Sequence, residues 1–292
     1  MLYLESFSLP TEAEESNFLF CSWECRRTCY TSRYPFGIFP KKQLREISFS
    51  PITIFHGGNG SGKTSLLNLI AETLHLQRGA VFNRSGFWND YLRLCSAHTS
   101  ASFRQDIQNN SRVITSDDVF DYLLDLRCLN ENIDCRRKEL LSEYTQKRYA
   151  SMQLHSLSDL DELRKVVDAQ RKTGSRYVRD QVMNDIPEQS NGESAFLFFT
   201  REITEQGLFL LDEPENSLSA SLQLELKQFL EDAVRFYRCQ LVIATHSPFL
   251  LSLKDAVVYD MDSSPAVPRR WTELDNVRTY YEFFRSHQGE FD

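Results

Sequence analysis

The octapeptide at residues 57–64, Gly-Gly-Asn-Gly-Ser-Gly-Lys-Thr, constrains the fold of this chain more than any other segment. It matches the phosphate-binding pattern G-x-x-x-x-G-K-[ST] at every fixed position. The apolar run at 51–56 before it is typical of a buried strand, and the apolar spacing of residues 65–74 after it favours a packed helix. Strand, glycine loop and helix in this order predict an α/β fold whose loop wraps a chain of phosphates.

Every residue of this loop is a candidate contact for a nucleotide. Glycines let backbone N–H groups approach phosphate oxygens closely, and the helix N-terminus adds the positive end of its dipole. We expect Lys63 to bind the β- and γ-phosphates and the Thr64 hydroxyl to ligate Mg²⁺. A glycine-rich turn with a stray lysine is the alternative interpretation. The other candidate contacts are Gly57, Gly58, Asn59, Gly60, Ser61, Gly62 and Ser65.

Two further apolar strands end in side chains suited to phosphate hydrolysis. Residues 207–211 lead into Asp212 and Glu213, and we expect Asp212 to hold Mg²⁺ and Glu213 to polarise the attacking water. Residues 241–245 lead into His246, which we expect to sense the γ-phosphate and orient the same water. Parallel strands deliver functional groups from their carboxyl ends, so these side chains are predicted to meet at one edge of a sheet. The alternative for each is a buried strand that ends in a polar turn.

A fourth segment, Ser190-Asn191-Gly192-Glu193, completes an ordered set of motifs. The set resembles the ABC-type P-loop ATPases, in the branch that includes SMC-like, double-strand-break-repair and overcoming-lysogenization-defect proteins. In that family a Ser-x-Gly-Gln/Glu signature opens a helix and contacts the γ-phosphate of ATP held by the other subunit. Ser190, Gly192 and Glu193 match this signature, whereas Gln189 and Asn191 depart from its usual form. Residues 215–218 fall where the family's D-loop lies, and the resemblance covers residues 45–75 and 186–262 well.

The resemblance implies an α/β architecture with a mostly parallel core sheet, an N-terminal antiparallel sheet and a helical subdomain that carries the signature. We expect one ABC-type ATPase domain over residues 1–292. Its expected parts are a nucleotide-binding core at 1–114 and 196–262, a helical subdomain at 115–195 and a C-terminal tail at 263–292. In the family a glutamine about forty residues after the lysine touches Mg²⁺, and Gln105 is the candidate, with Gln108 nearby. An aromatic residue stacks on adenine, for which Tyr30, Tyr34 and Phe36 are open alternatives.

The activity that the resemblance implies is Mg²⁺-dependent hydrolysis of ATP in a homodimer with two nucleotides at its interface. Stand-alone relatives of this kind commonly act beside a nuclease or toxin in anti-phage systems, so a protein effector is the expected partner. Three alternatives remain open, namely a DNA-repair clamp, the ATP-binding subunit of a membrane transporter and a non-catalytic nucleotide-gated scaffold. Stimulation of hydrolysis by DNA would favour the DNA-repair clamp, and co-purification with a membrane protein would favour the transporter subunit. A lack of phosphate release would favour the scaffold.

The charge and hydropathy of the whole chain limit its partners. Its net charge of −8 is not that of a nucleic-acid-binding protein. Residues 127–180 carry 12 basic and 9 acidic side chains, however, including Arg136, Arg137 and Lys138, so this segment predicts either a solvated helix face or a local surface for nucleic acid. No apolar stretch approaches the length that crosses a bilayer, and the acidic N-terminus is not a secretory signal, so we expect a cytoplasmic location without membrane contact.

Three local patterns lead to further expectations. Apolar runs at 2–4, 18–20 and 47–49 predict strands in the N-terminal region. Cys21, Cys25 and Cys29 recur every fourth residue, but their spacing is not a standard zinc pattern, and packing or surface thiols are the preferred interpretation. Residues 272–286 predict an amphipathic helix in the tail.

Overall fold

The computed structural model describes residues 1–21, 32–150, 160–184 and 190–291. These residues form two compact units. The first consists of Met1–Val119 and Asn191–Asp292, and the second of Phe120–Ser190. The second unit overlaps the helical subdomain that the sequence predicts at 115–195.

The strands and helices alternate through most of the first unit. The strands are β1 Leu4–Ser8, β2 Glu46–Ser48, β3 Ile52–His56, β4 Ser96–Thr99, β5 Arg112–Thr115, β6 Leu208–Asp212, β7 Gln240–Ala244, β8 Val257–Asp260 and β9 Pro268–Arg269. The helices are α1 Glu12–Cys21, α2 Lys63–Thr73, α3 Trp88–Leu92, α4 Gln105–Asn110, α5 Ser116–Arg148, α6 Leu160–Arg171, α7 Gly174–Arg179, α8 Asn191–Glu202, α9 Ala220–Phe236, α10 Pro248–Leu251 and α11 Asp275–Ser286. None of the helices in the described ranges is long and apolar enough to span a membrane.

A six-stranded sheet in the order β5-β6-β7-β3-β8-β9 forms the centre of the first unit, and all its pairs are parallel except β8 with β9. Strands β3, β6 and β7 are buried at every position. Helices cover both faces of a parallel sheet, which explains why these strands are continuous apolar runs without alternation. The strand order confirms the predicted α/β class with a mostly parallel sheet.

A smaller antiparallel sheet has the order β2-β1-β4 and confirms the predicted N-terminal antiparallel layer. Strand β2 includes two residues of the apolar run predicted at 47–49, whereas β1 begins at the last residue of the run predicted at 2–4. The third strand, β4, is half exposed and short, with the sequence Ser-Ala-His-Thr. Its pairing with β1 over residues 4–8 supplies a stability that its own composition does not indicate.

The predicted strand at Phe18–Phe20 is wrong, because these residues lie in helix α1. A reciprocal capping box begins this helix, in which the Thr11 N–H donates to the Glu14 carboxylate at 2.8 Å and the Glu14 N–H donates to the Thr11 hydroxyl at 3.2 Å. Glu15 is buried within the helix and accepts hydrogen bonds from the Tyr91 hydroxyl and the Gly37 N–H. These polar contacts outweigh the strand preference of three apolar residues.

The second unit has its own small core, and several of its basic side chains form ion pairs. The core consists of Leu140, Tyr144, Ala169, Tyr177 and Val178. Several of the basic residues that the sequence analysis singled out form ion pairs with carboxylates three or four residues away: Arg136 with Glu139, Arg137 with Asp134, Lys147 with Glu143, and Lys172 with Asp168. This pattern is that of a solvated helix face.

The predicted tail helix is present as α11. It buries Val277 and exposes Tyr280, Tyr281, Phe283 and Phe284.

The side chain of Gln240, at the first position of β7, joins the two sheets. It is fully buried, and its Oε1 accepts hydrogen bonds from the N–H groups of Tyr3 and Leu4 at 2.7 and 2.8 Å. Its Nε2 donates to the carbonyls of Leu4 and Ser50 at 2.9 and 3.2 Å. One amide thus satisfies four backbone groups where β1 meets the parallel sheet.

We expect Gln240→Met to lower the free energy of unfolding by about 3 kcal/mol or more, because methionine fills the volume but leaves buried backbone groups without partners. Urea denaturation followed by circular dichroism measures the change. Gln228→Met on the exposed side of α9 is the matched control and should change stability by less than about 0.5 kcal/mol. Equal losses in the two variants would show that the buried amide does not hold the sheets together.

Candidate functional site

The groups that the sequence singled out follow the carboxyl ends of neighbouring parallel strands. Asp212 pairs with Thr115 of β5 on one side and with Ala244 of β7 on the other, and Ala244 pairs in turn with Phe55 of β3. The phosphate loop follows β3, Glu213 follows β6, and His246 lies two residues after β7. In-register parallel pairing therefore brings the predicted groups to one edge of the sheet.

The loop at 57–62 has the conformation that its glycines permit. Gly60 and Gly62 have φ angles of 79° and 94°, in the left-handed region that favours glycine. Lys63 begins helix α2 and is buried at 4% exposure. Its ammonium donates to the carbonyls of Gly57 and Gly58 at 2.6 and 3.1 Å, so the lysine side chain folds back over the loop. This arrangement places a positive charge where phosphates would lie against the loop.

The side-chain oxygens of Thr64 and Asp212 lie next to each other beside the loop. The Thr64 hydroxyl donates to Asp212 Oδ1 at 3.1 Å. Burial raises the pKa of Asp212 to about 6, and the hydrogen bond from Thr64 and the charge of Lys63 oppose this shift only in part. A hydroxyl and a carboxylate that converge in this way fit Mg²⁺, which prefers hard oxygen ligands, and a bound cation would offset the cost of the buried charge.

The Glu213 carboxylate lies between the Lys63 ammonium and the His246 imidazole. Its Oε1 is 3.9 Å from Lys63 Nζ and 3.9 Å from His246 Nδ1. Asn216 holds the other oxygen, because its Nδ2 donates to Glu213 Oε2 at 3.2 Å. The backbone of Glu213 has a φ of 49°, which is uncommon for a residue with a side chain and is typical of strained functional positions. The carboxylate is therefore oriented towards the lysine and the histidine together.

The polar contacts of His246 come from the loop that follows β6. Its backbone N–H donates to Glu215 Oε1 at 2.9 Å, and its Nδ1 lies 3.5 Å from the same oxygen. The ring is 44% exposed, so it remains accessible from outside the sheet. The histidine can thus approach both a phosphate and a water near Glu213.

The signature segment begins helix α8, with Ser190 directly before it and Gly192 and Glu193 in its first turn. A Cβ atom at Gly192 would lie 3.1 Å from the carbonyl oxygen of Ser217 and 2.8 Å from Leu222 Cδ1. Glycine is required here because the helix packs directly against the loop after Glu213. Gln189, the position that departs from the usual signature, lies outside the described residues.

The structure does not bring Gln105 to the magnesium ligands. Gln105 is the first residue of α4 and is exposed, and its Nε2 donates to Asn109 Oδ1 at 2.9 Å. Gln108 instead donates to the carbonyl of Leu74. The strand end beside Asp212 belongs to β5, where Thr115 is the register partner of Asp212. The prediction made for Gln105 from its spacing of about forty residues is wrong, because α4 and β5 lie between this residue and the sheet edge.

A cavity of about 610 Å³ opens beside Thr64 and Asp212. Its other walls include Asn68, Tyr34, Arg78, Phe82, Thr115, Ser116 and Asp117. The Arg78 guanidinium donates to Asn68 Oδ1 and lies over the Phe82 ring at 4.1 Å. Sequence reasoning missed this wall, although β5 shows the same pattern of an apolar strand followed by polar residues that identified Asp212 and His246.

The three aromatic residues that are candidates for stacking on adenine lie in different surroundings. Tyr34 lies beside the phosphate loop, because its hydroxyl donates to Ser65 Oγ at 2.8 Å while its ring stacks on Trp88. Phe36 packs on Phe18 and Tyr91. Tyr30 lies outside the described residues, as do Cys25 and Cys29. The question of which residue contacts the base stays open.

Sequence reasoning also missed Asp262, which follows β8. Its carboxylate accepts from the Gly58 N–H at 2.8 Å and so restrains the first turn of the phosphate loop. No motif marked this residue, because its role depends on the pairing of β8 with β3.

We expect Asp212→Asn to raise the free energy of unfolding at pH 8 in the presence of EDTA by about 3 kcal/mol at most, since asparagine can still accept from Thr64 without a buried charge. A carboxyl whose folded pKa lies near 6, above its unfolded value of about 4, favours folding only while it is protonated. The difference between the two proteins should therefore vanish as the pH falls from above 6 to about 4. Urea titrations across this range measure it, with exposed Asp125→Asn as the control. A difference that does not depend on pH would contradict the raised pKa.

Comparisons with known proteins place the chain in a family. Residues 84–252 match a family model described as "AAA domain, putative AbiEii toxin, Type IV TA system". The matched range includes Asp212, Glu213 and His246, and the phosphate loop precedes it. No curated protein matches the chain significantly.

Two solved structures are among those to which the chain is similar. One is the dimeric ATP-binding cassette MJ0796 in a post-hydrolysis state bound to ADP and Pi, with 12% identity, a TM-score of 0.35, and coverage of 78% of this chain and 90% of that chain. The other is the Smc head domain of Pyrococcus furiosus with an extended coiled coil, bound to the C-terminal domain of ScpA. It has 12% identity, a TM-score of 0.43, and coverage of 98% and 100%. Both scores are low, and the fold described above rests on the strand order and register of this chain alone.

The family model covers more than half of the 292 residues. It agrees with the ordered motifs and with the parallel sheet whose carboxyl edge carries them. The chain belongs to the family of AAA domains described as putative AbiEii toxin of type IV toxin–antitoxin systems.

Proposed function

We propose that this chain hydrolyses ATP to ADP and phosphate with Mg²⁺. The observation that carries the proposal is the position of the Glu213 carboxylate, 3.9 Å from both Lys63 Nζ and His246 Nδ1 and next to the Thr64–Asp212 pair. A phosphate-binding cation, a general base, a polar group for the γ-phosphate and a pair of metal ligands thus meet at one sheet edge. This is the set of groups that phosphoryl transfer to water requires.

Each residue has a defined task in this reaction. The N–H groups of the loop and the Lys63 ammonium bind the β- and γ-phosphates, for which Lys63 exchanges its hydrogen bonds to the loop carbonyls. Thr64 and Asp212 would hold Mg²⁺, which neutralises charge on the phosphate oxygens. Glu213, oriented by Asn216, accepts the proton of the attacking water. His246 contacts the γ-phosphate and keeps that water in line.

We further propose that two copies of the chain act together. Ser190, Gly192 and Glu193 match a signature that in ABC-type ATPases completes the site of the neighbouring subunit. Gly192 packs on the loop that holds Glu213 and Asn216, so a nucleotide that bridges two copies would contact both catalytic loops. Formation of the dimer with ATP and its release after hydrolysis would then regulate a protein effector.

The biological setting that we propose is toxin–antitoxin or anti-phage defence. The description of the family names a putative toxin of a type IV toxin–antitoxin system, and the resemblance to stand-alone ATPases of anti-phage systems points in the same direction. A nucleic-acid surface on the second unit is not part of this proposal, because Arg136, Arg137, Lys147 and Lys172 are paired with neighbouring carboxylates.

We expect Lys63→Ala to weaken ATP binding or to abolish turnover, because the Lys63 ammonium is the positive charge that folds back over the phosphate loop. Phosphate release and binding of a fluorescent ATP analogue measure the two effects. Lys254→Ala, at an exposed lysine, is the control and should match the wild type. Normal phosphate release by the Lys63→Ala protein would contradict the assignment of the loop.

We expect Glu213→Gln to form an ATP-stabilised dimer. It should hydrolyse ATP at least about a hundredfold more slowly than the wild type, which is the scale of losing a general base. Glutamine keeps the size and hydrogen bonding of the side chain, and Asp212 still holds the metal, so ATP should bind. Size-exclusion chromatography with light scattering, with and without Mg·ATP, detects the dimer, and Glu225→Gln on exposed α9 is the matched control. A variant that stays monomeric in ATP would rule out the composite site, and normal turnover would move the role of base to another residue.

A further inference from the structure

Glu215 is a buried carboxylate with an uneven set of partners. It is 6% exposed, and one oxygen, Oε1, accepts three hydrogen bonds from the segment after β7: from the Thr245 hydroxyl at 2.6 Å, the His246 N–H at 2.9 Å and the Ser247 N–H at 3.1 Å. Burial of a carboxylate is costly unless such donors compensate it. All three donors belong to consecutive residues centred on His246, so this carboxylate determines where that segment lies.

The other oxygen of the same carboxylate is buried without a hydrogen-bond partner among the described residues. Buried polar atoms without partners are rare in native proteins, so the link between this side chain and the rest of the site is the single oxygen that accepts from the segment after β7. Its bonded oxygen lies 3.5 Å from His246 Nδ1, next to the Glu213 oxygen at 3.9 Å from the same nitrogen.

Glu215 also belongs to the loop that carries the general base and meets the signature helix. Within this loop the Asn216 N–H donates to the Glu213 carbonyl at 3.1 Å, and the Leu218 N–H donates to the Glu215 carbonyl at 3.0 Å. The next carbonyl, of Ser217, is the group that a Cβ at Gly192 would approach to 3.1 Å. The turn is thus closed by its own backbone bonds and is in contact with the first turn of α8.

We propose that Glu215 is a positioning residue that couples the loop at 213–218 to His246. Its Oε1 holds the backbone of His246 so that the imidazole faces the Glu213 carboxylate, and a shift of the loop against α8 moves the histidine with it. The inference rests on the proposed ATP hydrolysis in so far as His246 acts in that reaction. It assigns to Glu215 no contact with the nucleotide.

The kinetic test uses Glu215→Ala and Glu215→Gln, each alone and combined with His246→Ala. Alanine removes the acceptor, so kcat should fall about tenfold or more while KM for ATP changes less than about threefold. Glutamine keeps an acceptor oxygen of the same reach, so its kcat should stay within about threefold of the wild type. In the His246→Ala background, Glu215→Ala should cause no further loss, because residues that act through one another are not additive.

Two kinetic outcomes would overturn the inference. One is a double variant whose kcat falls by the product of the two single-variant losses, which would show that Glu215 acts independently of His246. The other is a Glu215→Gln protein as slow as Glu215→Ala, which would show that positioning by hydrogen bonds is not its role. Glu225→Ala on exposed α9 is the matched control and should match the wild type.

Hydrogen exchange provides a readout that does not depend on turnover. In Glu215→Ala the amides of His246 and Ser247 should exchange at least about tenfold faster, whereas those of β3 stay protected, because only the former lose an acceptor. Faster exchange throughout the sheet, or unchanged exchange at 246–247, would contradict the inference. A wild-type protein that releases no phosphate would refute the proposed function, and the exchange data would still decide whether Glu215 holds the histidine segment.

Discussion

The parallel register of four buried strands is the constraint on which the rest of this molecule depends. Thr115, Asp212, Ala244 and Phe55 lie side by side across β5, β6, β7 and β3, so the residues that follow each strand leave the sheet at one level. A slip of one residue in any pair would turn the side chains of that strand to the opposite face. The distances of 3.1 Å between Thr64 Oγ1 and Asp212 Oδ1 and of 3.9 Å between Glu213 Oε1 and His246 Nδ1 depend on this register.

The site contains features that oppose stability and that suit its chemistry. Asp212 keeps a carboxylate at 9% exposure, Glu213 adopts a left-handed backbone conformation, and Glu215 buries one oxygen without a partner in the described structure. Each costs free energy that the fully buried strands around it offset. These unfavourable features fall within four consecutive residues, at the end of β6 and in the turn after it, and such clustering is typical of functional sites.

The parts of the fold that depend on local pattern were predictable, and the parts that depend on long-range pairing were not. Lys63 could be found from the pattern of the phosphate-binding loop, and Asp212 because a buried parallel strand requires an apolar run, so that the polar residue at its end stands out. Gln105 was misplaced because a spacing along the chain cannot show that α4 and β5 intervene. Three apolar residues alone predict a strand at Phe18, whereas the capping contacts of Thr11 and Glu14 begin a helix there. Asp262 had no local signal at all.

The turn after β6 positions groups that follow two different strands, β6 and β7. Asn216 bonds back to the Glu213 carboxylate, while its neighbour Glu215 reaches forward to the backbone of His246. Because these adjacent residues bond to different partners, one short turn positions both the Glu213 carboxylate and the His246 backbone. An inserted residue in this turn would separate the two groups even if every side chain were retained. The spacing between Asp212 and Ser217 is therefore as much a part of the site as the identity of the residues within it.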